Sequence, residues 1–431
     1  MIKKRFSKPP LALRGMRDIL PKEQIYWDKI RKTLPKVAKD FGFKRIDTPL
    51  LEQMELFKRT VGEGTDIVEK EMYTFITKGK EKVALRPEFT ASIVRAFLEN
   101  GMDRWPKPVK IYSMGPLFRY ERPQEGRYRQ HHQLDFEIFG RKDPLVDAQI
   151  ILVGAYLLKK LGITKRTKIL ISSIGCLECR KPYIKKLVEY FKNHKSGLCK
   201  DCKNRLKKNP LRILDCKEAA CEPITNKAPK LIDSLCQECH NHFKKTLSYL
   251  EEVNLKYEID PSLVRGLDYY NRTVFEIVAR DKEGNNKYAL LGGGRYDGLA
   301  EILGGKQIPA IGFGSGIERI VTELMQNQKK EKVKEKKRVF IVGFGELGKK
   351  KAFQLFNDLL SSGINLRESL GRDSIKAQLK VADKEKARLA LIIGQKEALD
   401  ETVILRDMQI GSQEIIPRDK ILKQVKKMLR K

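Results

Sequence analysis

The stretch Tyr112–Gly140 reads YSMGPLFRYERPQEGRYRQHHQLDFEIFG. It predicts two strands, 109–118 and 131–139, joined by a polar, basic loop. Successive side chains of a strand point to opposite faces. From His131 to Phe139 one face therefore carries His131, Gln133, Asp135, Glu137 and Phe139, and the other His132, Leu134, Phe136 and Ile138. The second face is apolar and core-directed. The first lines up an amide and two carboxylates, which is either the wet side of an antiparallel sheet or the floor of a binding site. The neighbouring residues favour a floor: the first strand ends Phe118-Arg119-Tyr120-Glu121, and the loop adds Arg122, Arg127 and Arg129. Carboxylates beside several guanidinium groups suit a zwitterionic small molecule next to a phosphate-bearing one, because arginine gives planar, bidentate contact to phosphate.

Three clusters lie outward from this stretch. Arg86-Pro87-Glu88-Phe89-Thr90 opens a predicted helix over 86–100, with Pro87 at an early position and Ile93, Val94, Phe97 and Leu98 as its apolar stripe. Free N–H groups at a helix start attract anions, although an ordinary capped helix has the same pattern. Leu263–Asn271, LVRGLDYYN, packs one arginine, one carboxylate and two phenols into a few residues. Pro309–Arg319, PAIGFGSGIER, predicts a strand, a Gly-rich turn and a helix, the glycines permitting close approach of a planar ligand. Strand-like sequence at Thr273–Ala279 is followed by a glycine turn at Gly292, Gly293, Gly294 and Gly298, and an amphipathic helix is expected over 20–41.

Together these segments resemble class II aminoacyl-tRNA synthetases. The strand–loop–strand with Arg119 is similar to motif 2 of that class, and the Gly-rich segment ending at Arg319 to motif 3. LVRGLDYYNRTVFE, ALRPEFT, RGMRDILP (Arg14–Pro21) and LFKRTVGEGTDIVEKEMYTF (Leu56–Phe75) resemble the histidyl-tRNA synthetase family. The resemblance covers nearly the whole chain. It implies an antiparallel catalytic sheet flanked by helices, an α/β and α+β multidomain fold, and ATP-dependent ligation of L-histidine to histidine tRNA through an adenylate, with Mg²⁺. It also implies roles. Glu88, Phe89, Thr90, Gln133 and Glu137 hold the histidine, and Tyr269 and Tyr270 complete the imidazole pocket. Arg119 and Arg265 are catalytic and meet the α-phosphate and the carboxylate. Glu121 and Arg319, with Gly314 and Gly316, take the rest of ATP. Gln124 and Gly126 approach the tRNA acceptor end. Asp135 receives no role. Pro49 resembles the motif 1 proline of a dimer interface, so a homodimer is expected. The expected organisation is a catalytic domain in two parts, 1–167 and 251–325, a cysteine-rich insertion at 168–250, a charged linker at 326–337 and an anticodon-binding α/β domain at 338–431.

All eight cysteines lie between Cys176 and Cys239. Cys176/Cys179, Cys199/Cys202 and Cys236/Cys239 are C-x-x-C pairs, and Cys216/Cys221 is a looser pair. With no apolar signal core at the N-terminus, a reducing, cytoplasmic setting is expected, and clustered C-x-x-C pairs there read as metal ligands. Two four-thiolate zinc sites, one site with spare thiols, or buried inert thiols all remain open. The three C-x-x-C pairs are the candidates, and the looser pair is the weaker one.

The chain has 431 residues, and 88 Lys+Arg against 55 Asp+Glu give a net charge of +33. That balance favours a nucleic-acid partner, solubility being the bland reading. No apolar run approaches the roughly 18 residues of a membrane span. The final segment predicts strands at 338–342, 389–393 and 402–406 and helices at 347–361, 374–387 and 419–430, in a mostly parallel sheet. Gly343, Gly345 and Gly348, with Glu368 further on, match a dinucleotide-binding fingerprint. The segment is too short for a full two-half nucleotide fold, so the match reads as a helix-start turn. Two other function classes compete. A synthetase-like, histidine-sensing regulatory subunit would typically lack both RGLDYY and the final domain. A non-catalytic zinc protein that binds nucleic acid leaves the arginine–carboxylate cluster without a purpose.

Overall fold

Alternation at 109–118 and 130–139 places these two strands inside an eight-stranded sheet. The computed structural model describes residues 9–62, 65–123, 126–214, 216, 218–327 and 337–430, and the chain divides into two units, Met1–Lys330 and Glu331–Lys431. The first unit begins α1 (Pro21–Asp40), β1 (Lys44–Arg45), β2 (Leu51–Gln53), α2 (Met54–Val61), β3 (Thr74–Ile76), β4 (Lys82–Leu85) and α3 (Thr90–Glu99). It continues with β5 (Val109–Phe118), β6 (Gln130–Phe139), α4 (Pro144–Leu161), β7 (Thr167–Ser173), α5 (Leu177–Asn193), α6 (Lys200–Lys208) and α7 (Glu222–Asn226). It ends with α8 (Gln237–Glu252), β8 (Glu258–Ile259), β9 (Asn271–Arg280), β10 (Asn286–Arg295), α9 (Leu299–Ile302), β11 (Ala310–Gly316) and α10 (Ile317–Asn327).

The sheet order is β1-β5-β6-β11-β10-β9-β7-β8. Every pairing is antiparallel except those of the two short edge strands. Leu134, Phe136 and Ile138 of β6 enter a core with Trp27, Ile30 and Leu34 of α1, Ile150 and Leu157 of α4, Phe243 of α8 and Ile320 of α10. Phe136 is fully buried, and truncating such a ring costs about 3–5 kcal/mol. Helix α4 starts where Asp143 accepts the Leu145 N–H and stops at left-handed Gly162. The strands β2, β4 and β3 form a separate three-stranded sheet.

Several expectations need correcting. Gly292, Gly293 and Gly294 are not in a turn but inside β10, and Gly312, Gly314 and Gly316 lie inside β11, which runs directly into α10. Neighbouring side chains or backbone occupy the space that a Cβ would need at Gly292, Gly293, Gly294, Gly312 and Gly314, whereas Gly316 has room for one. The expected helix 86–100 begins only at Thr90, because the Glu88 carboxylate accepts the N–H groups of Thr90 and Ala91 at 2.7 and 2.8 Å and closes the first turn. These N–H groups are therefore not free for an anion. The start of the insertion also shifts. β7 pairs with β9 as a strand of the main sheet. At its other end α8 packs on α4, His242 bonding Asp147 at 2.8 Å. Gln326 and Asn327 of the expected linker still belong to α10, and 328–336 lie outside the described residues.

The second unit runs β12 (Arg338–Gly343), α11 (Gly345–Leu360), β13 (Asn365–Glu368), α12 (Ile375–Lys384), β14 (Ala387–Ile393), α13 (Gln395–Leu399), β15 (Thr402–Asp407), β16 (Gln413–Pro417) and α14 (Ile421–Arg430). Its sheet order is β13-β12-β14-β15-β16. Helices α11 and α14 cover one face and α12 the other. The sheet is mixed rather than mostly parallel: β13–β12 and β12–β14 are parallel, but β14–β15 and the hairpin β15–β16 are antiparallel. The glycine fingerprint has a structural use. A Cβ at Gly348 would press on the Ile393 carbonyl, and Gln378 occupies both the N–H and the C=O of Gly343.

Candidate active site

The polar face of β6 opens into a cavity of about 470 Å³, within the range of small-molecule sites. Its floor follows from register. In antiparallel pairs, residues directly opposite share a face. Asp135 lies opposite Gly314, Gly314 opposite Gly292, and Gly292 opposite Glu276. Gln133 lies opposite Gly316, and Glu137 opposite Gly312. A Cβ at Gly314 would overlap Gln133, one at Gly312 would overlap Glu137, and one at Gly292 would overlap Arg265. The glycines thus let long polar side chains lie flat on the sheet.

Part of the cavity lining is acidic and phenolic. Glu88, Thr90, Gln133, Asp135, Tyr269 and Tyr270 belong to it. Thr90 Oγ1 donates to Glu137 at 2.8 Å, and Tyr296 donates to the other Glu137 oxygen. Tyr269 donates to Glu88 at 3.5 Å. Burial, with Glu88 nearby, pushes the Glu137 carboxyl up to about 8, against the lowering effect of its hydrogen bonds. Burial and the charges of Glu137 and Glu88 push Asp135 well above the usual carboxylate range. Gln133 Nε2 reaches Asp135 Oδ1 at 3.3 Å, while Asp135 Oδ2 is buried with no partner. An acidic nest with an unfilled acceptor suits an ammonium or a ring N–H.

Arginines line the same cavity, Arg265 lying 5.8 Å from the Tyr270 ring centroid. Arg119 is held by the Pro87 carbonyl at 2.7 Å and lies 3.8 Å from Glu121. Arg319 is held by the Ala289 carbonyl at 2.8 Å. Arg265 pairs with Glu276, and its Nε is buried without a partner. Such tethering presets guanidinium groups for an anion. His131 also lines the cavity, its ring pushed down to about 3 by burial and then by Arg119, so it stays neutral.

Of the residues expected at the site, Glu88, Thr90, Arg119, Glu121, Gly126, Gln133, Arg265, Tyr269, Tyr270, Gly314, Gly316 and Arg319 all line this one cavity. Phe89 does not. It is buried in the core, with the Arg86 guanidinium 4.2 Å from its ring centroid. Glu137 lies behind Thr90 and Tyr296 rather than on the wall. Gln124 lies outside the described residues. Asp135 and His131 went without a role in the sequence reading, although strand parity put them on this face. Arg205 and Arg212, from the cysteine-rich segment, also line the cavity, and no local pattern announces that.

The cysteines also depart from expectation. Cys176, Cys179, Cys236 and Cys239 come together, and Cys199 and Cys202 join Cys216 and Cys221. The looser pair therefore completes a tetrad instead of standing aside.

A family model described as histidyl-tRNA synthetase matches residues 15–320, and one described as an anticodon binding domain matches 338–428. A relative named histidine–tRNA ligase, from Halothermothrix orenii, is 46% identical over 97% of this chain and 99% of its own length. Another of that name, from Pelotomaculum thermopropionicum, is 44% identical over 96% and 97%. The solved structure of apo S. aureus histidyl-tRNA synthetase superposes with a TM-score of 0.79 at 33% identity, covering 96% of this chain and 99% of that one. With its central sheet, its cavity and both units accounted for, the chain belongs to the histidyl-tRNA synthetase family.

Proposed function

We propose that this chain ligates L-histidine to histidine tRNA with ATP, in two steps through a histidyl adenylate. One observation supports the reading: acidic and phenolic side chains and a set of tethered arginines line one cavity over a glycine-paved floor. Glu88, Thr90, Gln133 and Asp135 receive the ammonium and the imidazole, with Tyr269 and Tyr270 closing on the ring. Glu137 acts through Thr90 as a positioning residue. Glu121 and Arg319 hold the adenine and the γ-phosphate end over Gly314 and Gly316. The histidine carboxylate attacks the α-phosphorus and pyrophosphate leaves. Arg119 and Arg265 take the charge that develops there, so catalysis is positioning and electrostatics. A terminal ribose hydroxyl of the tRNA then attacks the acyl carbon and AMP leaves.

Mg²⁺ bound with ATP would offset the charge of its phosphates, and such an ion needs few protein ligands. Glu71, which lines the cavity, is a carboxylate that would hold it. A site that hydrogen-bonds both ring nitrogens rejects other side chains by roughly 10⁴ or more, since they leave buried polar groups unpaired. The tRNA meets the 338–428 unit and the basic surface, with Gly126 near its acceptor end. The protein works as a homodimer in the cytoplasm, with Zn²⁺ on the cysteine segment. Among the described residues no helix is long and apolar enough to cross a membrane. The regulatory alternative accounts neither for Arg265, Tyr269 and Tyr270 in the cavity nor for the matched second unit.

The test is ATP–pyrophosphate exchange with each of the twenty amino acids. Histidine alone should support exchange, and Arg119→Ala or Arg265→Ala should slow it by about 10²–10³. Exchange with another amino acid, or near-normal rates in both variants, would overturn the assignment.

A further inference from the structure

The adenylation chemistry leaves the eight cysteines unused. Within each tetrad all four Sγ atoms lie within 4.8 Å of one another. Cys176–Cys179, Cys176–Cys236 and Cys199–Cys216 are separated by 3.6, 4.0 and 3.9 Å. All eight thiols are free. A tetrahedral ion with metal–sulfur distances of about 2.3 Å needs sulfurs about 3.8 Å apart, so these spacings fit an ion. Backbone N–H groups of Cys236, Cys199 and Cys202 reach the sulfurs of Cys179, Cys221 and Cys199 at 3.1, 3.2 and 3.4 Å. Outer donors of this kind orient ligand sulfurs. Zinc on four thiolates keeps a net negative charge. Arg180 and Arg272 act electrostatically on the first tetrad, and Arg205 on the second.

The tetrads occupy different places. The first ties the start of α5 to the start of α8, the two ends of the inserted lobe. The second lies within the lobe and flanks α6 and the turn after it. That segment docks on the cavity wall. Arg205 and Arg212 lie 3.2 and 3.7 Å from Asp66, Lys208 lies 2.7 Å from Glu69, and Asn209 donates to Asp268 at 2.8 Å.

We propose that each tetrad holds one zinc ion, and that the ion at Cys199, Cys202, Cys216 and Cys221 positions Arg205 and Arg212 in the cavity to meet a phosphate group. That phosphate comes from ATP or from the 3′ end of the tRNA. The positioning role rests on the synthetase reading, whereas the metal count does not.

Full-length protein, purified reduced and zinc-replete, is analysed for metals. Two equivalents of zinc per chain are expected, and one in Cys216→Ser/Cys221→Ser. One equivalent or less in the wild type, or iron in place of zinc, overturns the two-site assignment. Arg205→Ala/Arg212→Ala leaves all eight thiols in place, and because it also removes the pairs with Asp66, its zinc content is measured alongside and should stay at two equivalents. In both variants the KM for ATP in histidine-dependent exchange should rise about tenfold if the phosphate is that of ATP, and the KM for tRNA in aminoacylation by a similar factor if it is that of tRNA. Wild-type values for both overturn the positioning role. Failure of the wild-type protein to exchange with histidine would strike the synthetase reading and leave the metal count standing.

Discussion

Glu137 shows how one carboxyl is tuned by its surroundings. Burial holds its titration near 8, above its ordinary range near 4.5, while Thr90 and Tyr296 hold its oxygens in place. Between those two values the folded chain keeps a proton that the unfolded chain has released. Stability contributed there is present at low pH and falls, by about 1.4 kcal/mol per pH unit, as pH rises through the window. Glu137→Gln preserves the shape and removes the titration. Both tryptophans, Trp27 and Trp105, lie in the first unit, so their fluorescence reports its unfolding in urea. Between about pH 5 and about pH 7.5 the wild type should lose about 3 kcal/mol more than the variant. Equal losses in the two proteins would show that Glu137 does not titrate in this window.

At the scale of elements, Arg86 links three segments around the floor. Its guanidinium donates to the Thr48 carbonyl at 2.6 Å, the Thr48 hydroxyl at 3.0 Å, the Pro49 carbonyl at 3.3 Å and the Pro116 carbonyl at 3.1 Å. It thereby joins the lead into β2, the end of β5 and the turn into α3. Arg86→Ala would leave three backbone acceptors without this donor and should cost about 2–4 kcal/mol. Arg86→Lys should recover little of it, since an ammonium cannot reproduce the fork. Tryptophan-detected urea unfolding measures both, and a loss under about 1 kcal/mol in Arg86→Ala would contradict the linking role. The same turn bears out the ordinary capped helix over an anion site, since Glu88 occupies the Thr90 and Ala91 N–H groups. The capping oxygen comes from Glu88, a residue that the sequence also offered as a ligand for substrate.

At the scale of the molecule, the charge of +33 suits a long polyanion rather than a small acid. β2 is an edge strand of its sheet, and Leu50 and Leu51 beside Pro49 are exposed. Sedimentation equilibrium at micromolar concentration should give twice the chain mass of 49.7 kDa. Replacing Leu50 and Leu51 by Glu should shift that mass toward the monomer, because a charge desolvated in an apolar interface is costly. A wild-type protein active as a monomer would refute the dimer.

The sequence by itself determined which face of β6 is wet, where the basic loop sits, and that three C-x-x-C pairs share one segment. Strand parity and two-residue spacers are local rules, and a single stretch of chain obeys them whatever lies elsewhere. The tertiary structure decided what those residues meet. Gly292 and Gly314 read as turn glycines until the sheet register set Arg265 and Gln133 over them. Cys216 and Cys221 read as the weak pair until the path of the lobe brought them to Cys199 and Cys202. Arg205 and Arg212 joined the cavity only because that lobe docks on Asp66. Loop closure depends only weakly on loop length, so spacing along the chain says little about which distant groups converge, and that is fixed by packing.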